Sequence, residues 1–154
     1  MGINQAGHIV SFDIDAERQK VTHEIFTPPD LSLRLLDLFN DDYFRGNVLE
    51  PTCGNGNIVE MIILRKLSIR MTPEEAVSTT FAADLMQDNV QACQERVLAI
   101  LGDAVTPKIQ LIVHDNIVCA DYFKWDHEKW SPRTVELPRT TEFDAGSDTS
   151  MVDF

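Results

Sequence analysis

Twenty residues, Val48 to Leu67 (VLEPTCGNGNIVEMIILRKL), constrain the chain more than any other stretch. They read as the end of an apolar strand, an acidic residue, a tight glycine loop and an apolar helix. Strand, turn and helix in so short a span form the opening unit of a nucleotide-type α/β site. Gly54 and Gly56 let the backbone turn sharply and remove the Cβ atoms that would hold a ligand away. Glu50 is delivered to the carboxyl end of the strand, where open α/β sheets bind their ligands.

The flanking pattern supplies the other pieces. Residues 1–20 are mixed and polar, a loose start with at most a short helix near Asp15 to Val21. Pro28 and Pro29 hold the chain extended. Asp30 can then cap a helix from Leu31 to about Phe39, with Leu31, Leu35, Leu38 and Phe39 on one face. Asn40 to Gly46 reads as a turn, and Asn47 to Glu50 as a short buried strand. A helix from about Asn57 to Ile69 carries Ile58, Met61, Ile62, Leu64 and Leu67. Thr72-Pro73-Glu74-Glu75 is a cap, a first-turn proline and first-turn acids. Thr80 to Ala83 makes a second strand ending at Asp84. Gln87 to Leu101 makes a helix through Val90, Cys93, Val97 and Leu101, with Gly102 as its stop. Ile109 to Val113 is a strand or the end of a helix, which five residues cannot decide. Ile117 to Ala120 is a strand with Asp121 at its end. From Lys124 the aliphatic residues thin out, and an extended, partly disordered tail is expected.

Composition narrows the setting. The 154 residues suffice for one domain with a core. No run approaches the roughly 18 apolar residues of a membrane span. The start lacks a signal-peptide pattern, and Ala6 stands where a myristoylation signal wants a hydroxyl residue. Cys53, Cys93 and Cys119 have no metal-ligand spacing, and the four histidines are scattered, so a reduced cytoplasmic chain without a metal site is expected. The formal net charge is −12, from 13 Lys and Arg against 25 Asp and Glu. Nucleic-acid binders usually carry a basic face, so a role on DNA requires segregated charge or a second protein.

Three acids close three strands: Glu50, Asp84 and Asp121. In a parallel sheet such ends lie along one edge, so three carboxylates rim the crevice above the glycine loop. A phosphate loop would want Lys and free N–H groups there. Neither a Walker-type lysine motif nor a third glycine is present. Taken alone, the acids could be surface residues at loop starts. Beside the loop they favour a ligand with hydrogen-bond donors or positive charge. S-adenosylmethionine meets that description, with its amine, sulfonium, ribose hydroxyls and adenine amino group and no phosphate.

The residues also carry a resemblance. Glu50-Pro51-Thr52-Cys53-Gly54-Asn55-Gly56-Asn57 resembles the cofactor motif of N6-adenine DNA methyltransferases of the restriction–modification and phage type, acid-Pro-x-Cys/Ala-Gly-x-Gly. Glu24-Ile25-Phe26-Thr27-Pro28 resembles the segment G-E-V-F-T-P that precedes it, with His23 in place of the glycine. Ala83 to Val90 is similar to their second motif, and Asn116 to Asp121 to their third. Order and spacing agree from about residue 22 to 125. The resemblance implies a Rossmann-like, three-layer αβα methyltransferase fold with S-adenosylmethionine as cofactor. It implies that Phe26, Thr27 and Pro28 line the methionine end and that Glu50, Pro51, Cys53, Gly54 and Gly56 form the cofactor loop. Asp84 would bind the ribose, and Leu85 or Met86 would pack on the adenine. Asp121 would accept from the adenine amino group with Phe123 nearby, and Asp115 is the rival for that role.

The family's catalytic [Asn/Asp/Ser]-Pro-Pro-[Tyr/Phe] motif, which holds the flipped base, has no counterpart. Glu142-Phe143-Asp144 resembles the strand leading to it, but Ala145-Gly146-Ser147-Asp148 follows. The expectation is therefore a fold truncated at its C-terminal side, with no catalytic residue of its own. The expected organisation is an N-terminal segment (1–21), an S-adenosylmethionine-binding domain (22–130) and an acidic tail (131–154). DNA would be reached only through a second chain that supplies catalytic and recognition parts, so a protein partner or a homo-oligomer is expected, and no membrane. The competing functions are a non-catalytic binding protein, such as a decoy or partner subunit in phage defence or counter-defence, and a truncated remnant. Small-molecule methyl transfer is disfavoured by the Pro-Thr-Cys-Gly-Asn-Gly form.

Overall fold

A computed structural model describes residues 2–3, 9–10, 19–20, 22 and 25–124. In chain order, β1 (Gly2–Ile3) and β2 (Ile9–Val10) form a short antiparallel pair. Then come α1 (Pro29–Leu36), α2 (Asp41–Arg45), β3 (Val48–Glu50) and α3 (Asn57–Ser68). After these follow α4 (Pro73–Ser78), β4 (Thr80–Asp84), α5 (Gln87–Leu101), α6 (Pro107–Asn116) and β5 (Ile117–Cys119). The fold is α/β: β3, β4 and β5 lie side by side in that order as a parallel sheet. No helix among the described residues is long and apolar enough to cross a membrane.

The strands alternate between two unequal faces. Ala82 and Ile117 face a core built with Val59 and Ile63 of α3, Ala76 and Val77 of α4, Val90, Cys93 and Val97 of α5 and Val113 of α6. Each fully buried aliphatic side chain contributes about 1.5–3 kcal/mol, so this helix-covered face carries most of the stability. Ala83, Val118 and Ala120 form a separate small cluster on the other face. Leu49, also on that side, is 36% exposed. Among the described residues the parallel sheet thus has helices on one face, and a third layer is not among them.

Several local expectations change. The helix near Pro28-Pro29 begins at Pro29, where a proline at the first helical position loses no hydrogen bond, and Asp30 sits in its first turn rather than capping it. It ends at Leu36, so Leu38 and Phe39 lie in the turn that follows. The leucine stripe faces outward: Leu31, Leu35 and Leu38 are exposed, whereas Ser32 and Leu36 are buried. Ser32 donates its hydroxyl to the Pro28 carbonyl (3.1 Å), which satisfies it inside the contact. Residues 41–45 are helical rather than a turn, because the Asn40 side chain accepts from the Asp42 N–H. In α3 the buried set is Asn57, Val59, Ile62, Ile63 and Lys66, while Leu64 is exposed. Ile109 to Val113 belongs to a helix capped by Thr106, not a strand. Gln19, Lys20 and Thr22 are helical, at and just beyond the end of the short helix expected there. The tail after Lys124 lies outside the described residues.

Lys66 fastens the amino ends of two strands. It is fully buried, and its Nζ donates to the carbonyls of Gly46 and Thr79 (both 2.9 Å) and to Thr79 Oγ1 (2.6 Å). The same Thr79 carbonyl accepts from Val48 N–H (2.9 Å). Burial lowers the Lys66 pKa from 10.5 to about 8. At the helix-covered side, Arg96 of α5 pairs with Glu60 of α3 (2.7 Å), a half-buried bridge that sets the spacing of these two helices.

Candidate ligand-binding site

The register fixes where the acids stand. Glu50 is level with Ala82, and Asp84 is level with Cys119. Asp84 therefore stands two residues, or roughly 7 Å, further along the carboxyl edge than Glu50, and Asp121 lies two residues past the end of β5. The three carboxylates step along one edge as the sequence implies.

The glycine loop is bonded down onto that edge. Glu50 Oε1 accepts from Thr52 N–H (3.1 Å) and Thr52 Oγ1 (3.2 Å). Cys53 N–H donates to the Ala83 carbonyl (2.8 Å) and Gly56 N–H to the Cys53 carbonyl (2.9 Å). Gly54 N–H donates to Asp84 Oδ2 (2.9 Å). Asp84 Oδ1 also accepts from Met86 N–H (2.9 Å) and Asn89 Nδ2 (3.1 Å). A carboxylate offers about four lone-pair sites, and three are engaged here. Asp84 is first an organiser that ties the loop to the first turn of α5, with one Oδ2 site left for a ligand donor.

Both loop glycines have positive φ, 50° at Gly54 and 89° at Gly56, a region L side chains rarely enter. Their surroundings differ. A Cβ on Gly54 would meet the Phe26 ring at 3.1 and 3.2 Å. One on Gly56 would meet Cys93 Sγ at 2.7 Å and Cys93 Cα and Cβ at 3.0 Å. Gly54 therefore faces the segment 25–27, and Gly56 lets the loop sit on α5. Behind the loop the Cys53 thiol is buried beside that of Cys93. The Cys93 thiol, then burial, then the negative charges of Asp84 and Glu50 push the Cys53 pKa far upward. Burial and the charges of Asp84 and Asp88 also raise Cys119. Both stay protonated thiols, unsuited to nucleophilic or metal-ligand roles, and no metal-binding cluster occurs among the described residues.

In front of the loop lies a small cleft, about 40 Å³, between Ile25-Phe26-Thr27 and residues 52–58. Phe26, Thr27, Cys53 and Gly54, all candidates from sequence, come together there. Among the described residues, neither Lys nor Arg lines it. Pro51 lies in the loop, half-buried and outside the lining. Pro28 is exposed and precedes α1. Leu85 is exposed, and Met86 is half-buried at the start of α5. Asp121 is occupied locally, accepting from Phe123 N–H (3.0 Å) and pairing with Lys124 (3.2 Å), and the Phe123 ring is 93% exposed. Asp115, the rival acid, lies in the last turn of α6, ahead of β5 rather than beyond its carboxyl end. Three residues were missed from sequence: Asn57, Asn89 and Cys93. Asn57 is buried in the first turn of α3 and donates from Nδ2 to the Thr27 carbonyl (2.8 Å). An Asn directly after the second glycine was the available signal. Asn89 and Cys93 had only their places on the α5 face.

Searches of protein-family models, curated proteins and solved structures find no match to the chain.

Proposed function

We propose that this chain binds S-adenosylmethionine at the glycine loop and serves as the cofactor-holding part of a DNA adenine-N6 methyltransferase. The observation that carries the cofactor class is the state of the loop's N–H groups. Those of Thr52, Cys53, Gly54 and Gly56 are all spent on protein acceptors. A phosphate cradle needs such groups free and welcomes cations; this loop has two carboxylates beside it and, among the described residues, no Lys or Arg in its cleft. That chemistry suits a ligand that donates hydrogen bonds or carries positive charge. The choice of S-adenosylmethionine and of DNA adenine rests on the sequence resemblance. In a Rossmann-like fold of this kind, Glu50 Oε2 and the open Asp84 Oδ2 site would take ribose hydroxyls, and Leu85 and Met86 would flank the base.

The chain has no Pro-Pro-aromatic motif, and its charge of −12 repels DNA. The catalytic side chain and the DNA-contacting surface would therefore come from outside these 154 residues. The same two facts favour a second reading, a non-catalytic binding protein that retains the cofactor without transferring it. Isothermal titration with S-adenosylmethionine tests the shared premise, and absence of heat at millimolar cofactor removes both readings. Methyl transfer to adenine-containing duplex DNA separates them: turnover by the purified chain alone would eliminate the non-catalytic reading.

A further inference from the structure

Among the described residues, Asn57 Oδ1 is the one buried side-chain oxygen or nitrogen with no hydrogen-bond partner. The residue is 4% exposed and lines the cleft. Its orientation is set by Nδ2, which donates to the Thr27 carbonyl, so the atom left over is an acceptor. Buried polar groups are nearly always paired, because an unmet one carries its full desolvation cost. An unmet acceptor beside a cleft calls for a donor from a ligand. Glu50 and Asp84 act close to Cys53, another wall of the same cleft, so the local field favours a cation over an anion.

We propose that Asn57 is the acceptor for a ligand's primary ammonium, and that it selects ligands bearing an amino-acid end over those lacking one. The inference rests on the S-adenosylmethionine reading above, in which Phe26 and Thr27 border that end of the cofactor. Asn57 holds the Ile25–Thr27 segment with one side of its amide and receives the ammonium with the other. It is thus a specificity residue with no part in bond breaking.

The test compares two ligands on the full chain by isothermal titration: S-adenosylmethionine, and 5′-methylthioadenosine, which keeps the nucleoside thioether and lacks the amino-acid end. The parent binds S-adenosylmethionine the more tightly. Asn57→Leu weakens it by about ten- to a hundredfold, the range for one hydrogen bond to a charged group, and leaves 5′-methylthioadenosine affinity unchanged. Asn57→Ser, which keeps a small polar side chain, serves if the leucine variant fails to fold, and retained 5′-methylthioadenosine binding reports an intact loop. An equal loss for both ligands, or none for either, overturns the proposal while the cofactor reading stands. A parent that binds neither ligand overturns the cofactor reading itself, and this inference with it.

Discussion

Replacing Gly56 by alanine tests the loop geometry at its tightest point. Gly56 has φ 89° and ψ 16° and precedes α3. An L-residue there costs about 1–2 kcal/mol. The added methyl also lies 2.7 Å from Cys93 Sγ and 3.0 Å from Cys93 Cα. The sulfur could turn aside, but the α-carbon belongs to the buried face of α5 and cannot yield alone. Overpacking of this kind costs about 1–3 kcal/mol. Gly56→Ala is therefore expected to destabilise the fold by about 2–5 kcal/mol. Urea unfolding followed by far-ultraviolet circular dichroism reads this as a midpoint lowered by about 1 M or more at unchanged slope. Gly54→Ala provides the contrast. Its methyl meets only the edge of the Phe26 ring, so the ring swings and the cost stays near the conformational term alone, about 1–2 kcal/mol. A Gly56→Ala protein no less stable than Gly54→Ala would refute the claim that Gly56 exists to seat the loop on α5.

Two other substitutions probe the frame. Lys66 has a folded pKa of about 8 against an ordinary 10.5. Between those values the unfolded chain binds more protons than the folded one, so this group's contribution to stability rises with pH. Cys53 and Cys119, with raised pKa values, act in the opposite sense at alkaline pH. The stability difference between parent and Lys66→Met cancels them and should shift toward the parent by about 2 kcal/mol from pH 7 to pH 10; a flat difference contradicts the burial of Lys66. On α1, Leu36→Ala should cost about 2–4 kcal/mol by creating a cavity against Phe44 and Ile62. Leu35→Gln, on the outward stripe, should change stability by less than about 0.5 kcal/mol, and reversed values would mean that α1 is rotated.

The contrast on α1 also shows where sequence reading stops. Leu31, Leu35 and Leu38 share a face by spacing, yet spacing does not say what a face meets. The neighbouring α3 is met through Ser32 and Leu36, the serine being small and bonded to its own helix. By contrast, Gln87 to Leu101 could be read in full, because its apolar spacing, length and terminal glycine agree with one another. The cap at Thr72 was legible for the same reason, and the structure completes it as a reciprocal box with Glu75. Residues 40–46 escaped because one turn of helix leaves no period to detect. At the site, the acids at the strand ends were legible as positions. Their bonding was not: that Asp84 would hold Gly54, Met86 and Asn89 depends on the register between β3 and β4, which no local pattern encodes.

The central claim is that a loop with the N–H groups of Thr52, Cys53, Gly54 and Gly56 already bonded and carboxylates at its edge takes a phosphate-free, donor-rich cofactor. Parallel isothermal titrations of the parent chain with S-adenosylmethionine and with ATP test it most directly. The account predicts saturable binding of S-adenosylmethionine and none of ATP at the same concentrations. Binding of ATP with no response to S-adenosylmethionine would contradict it.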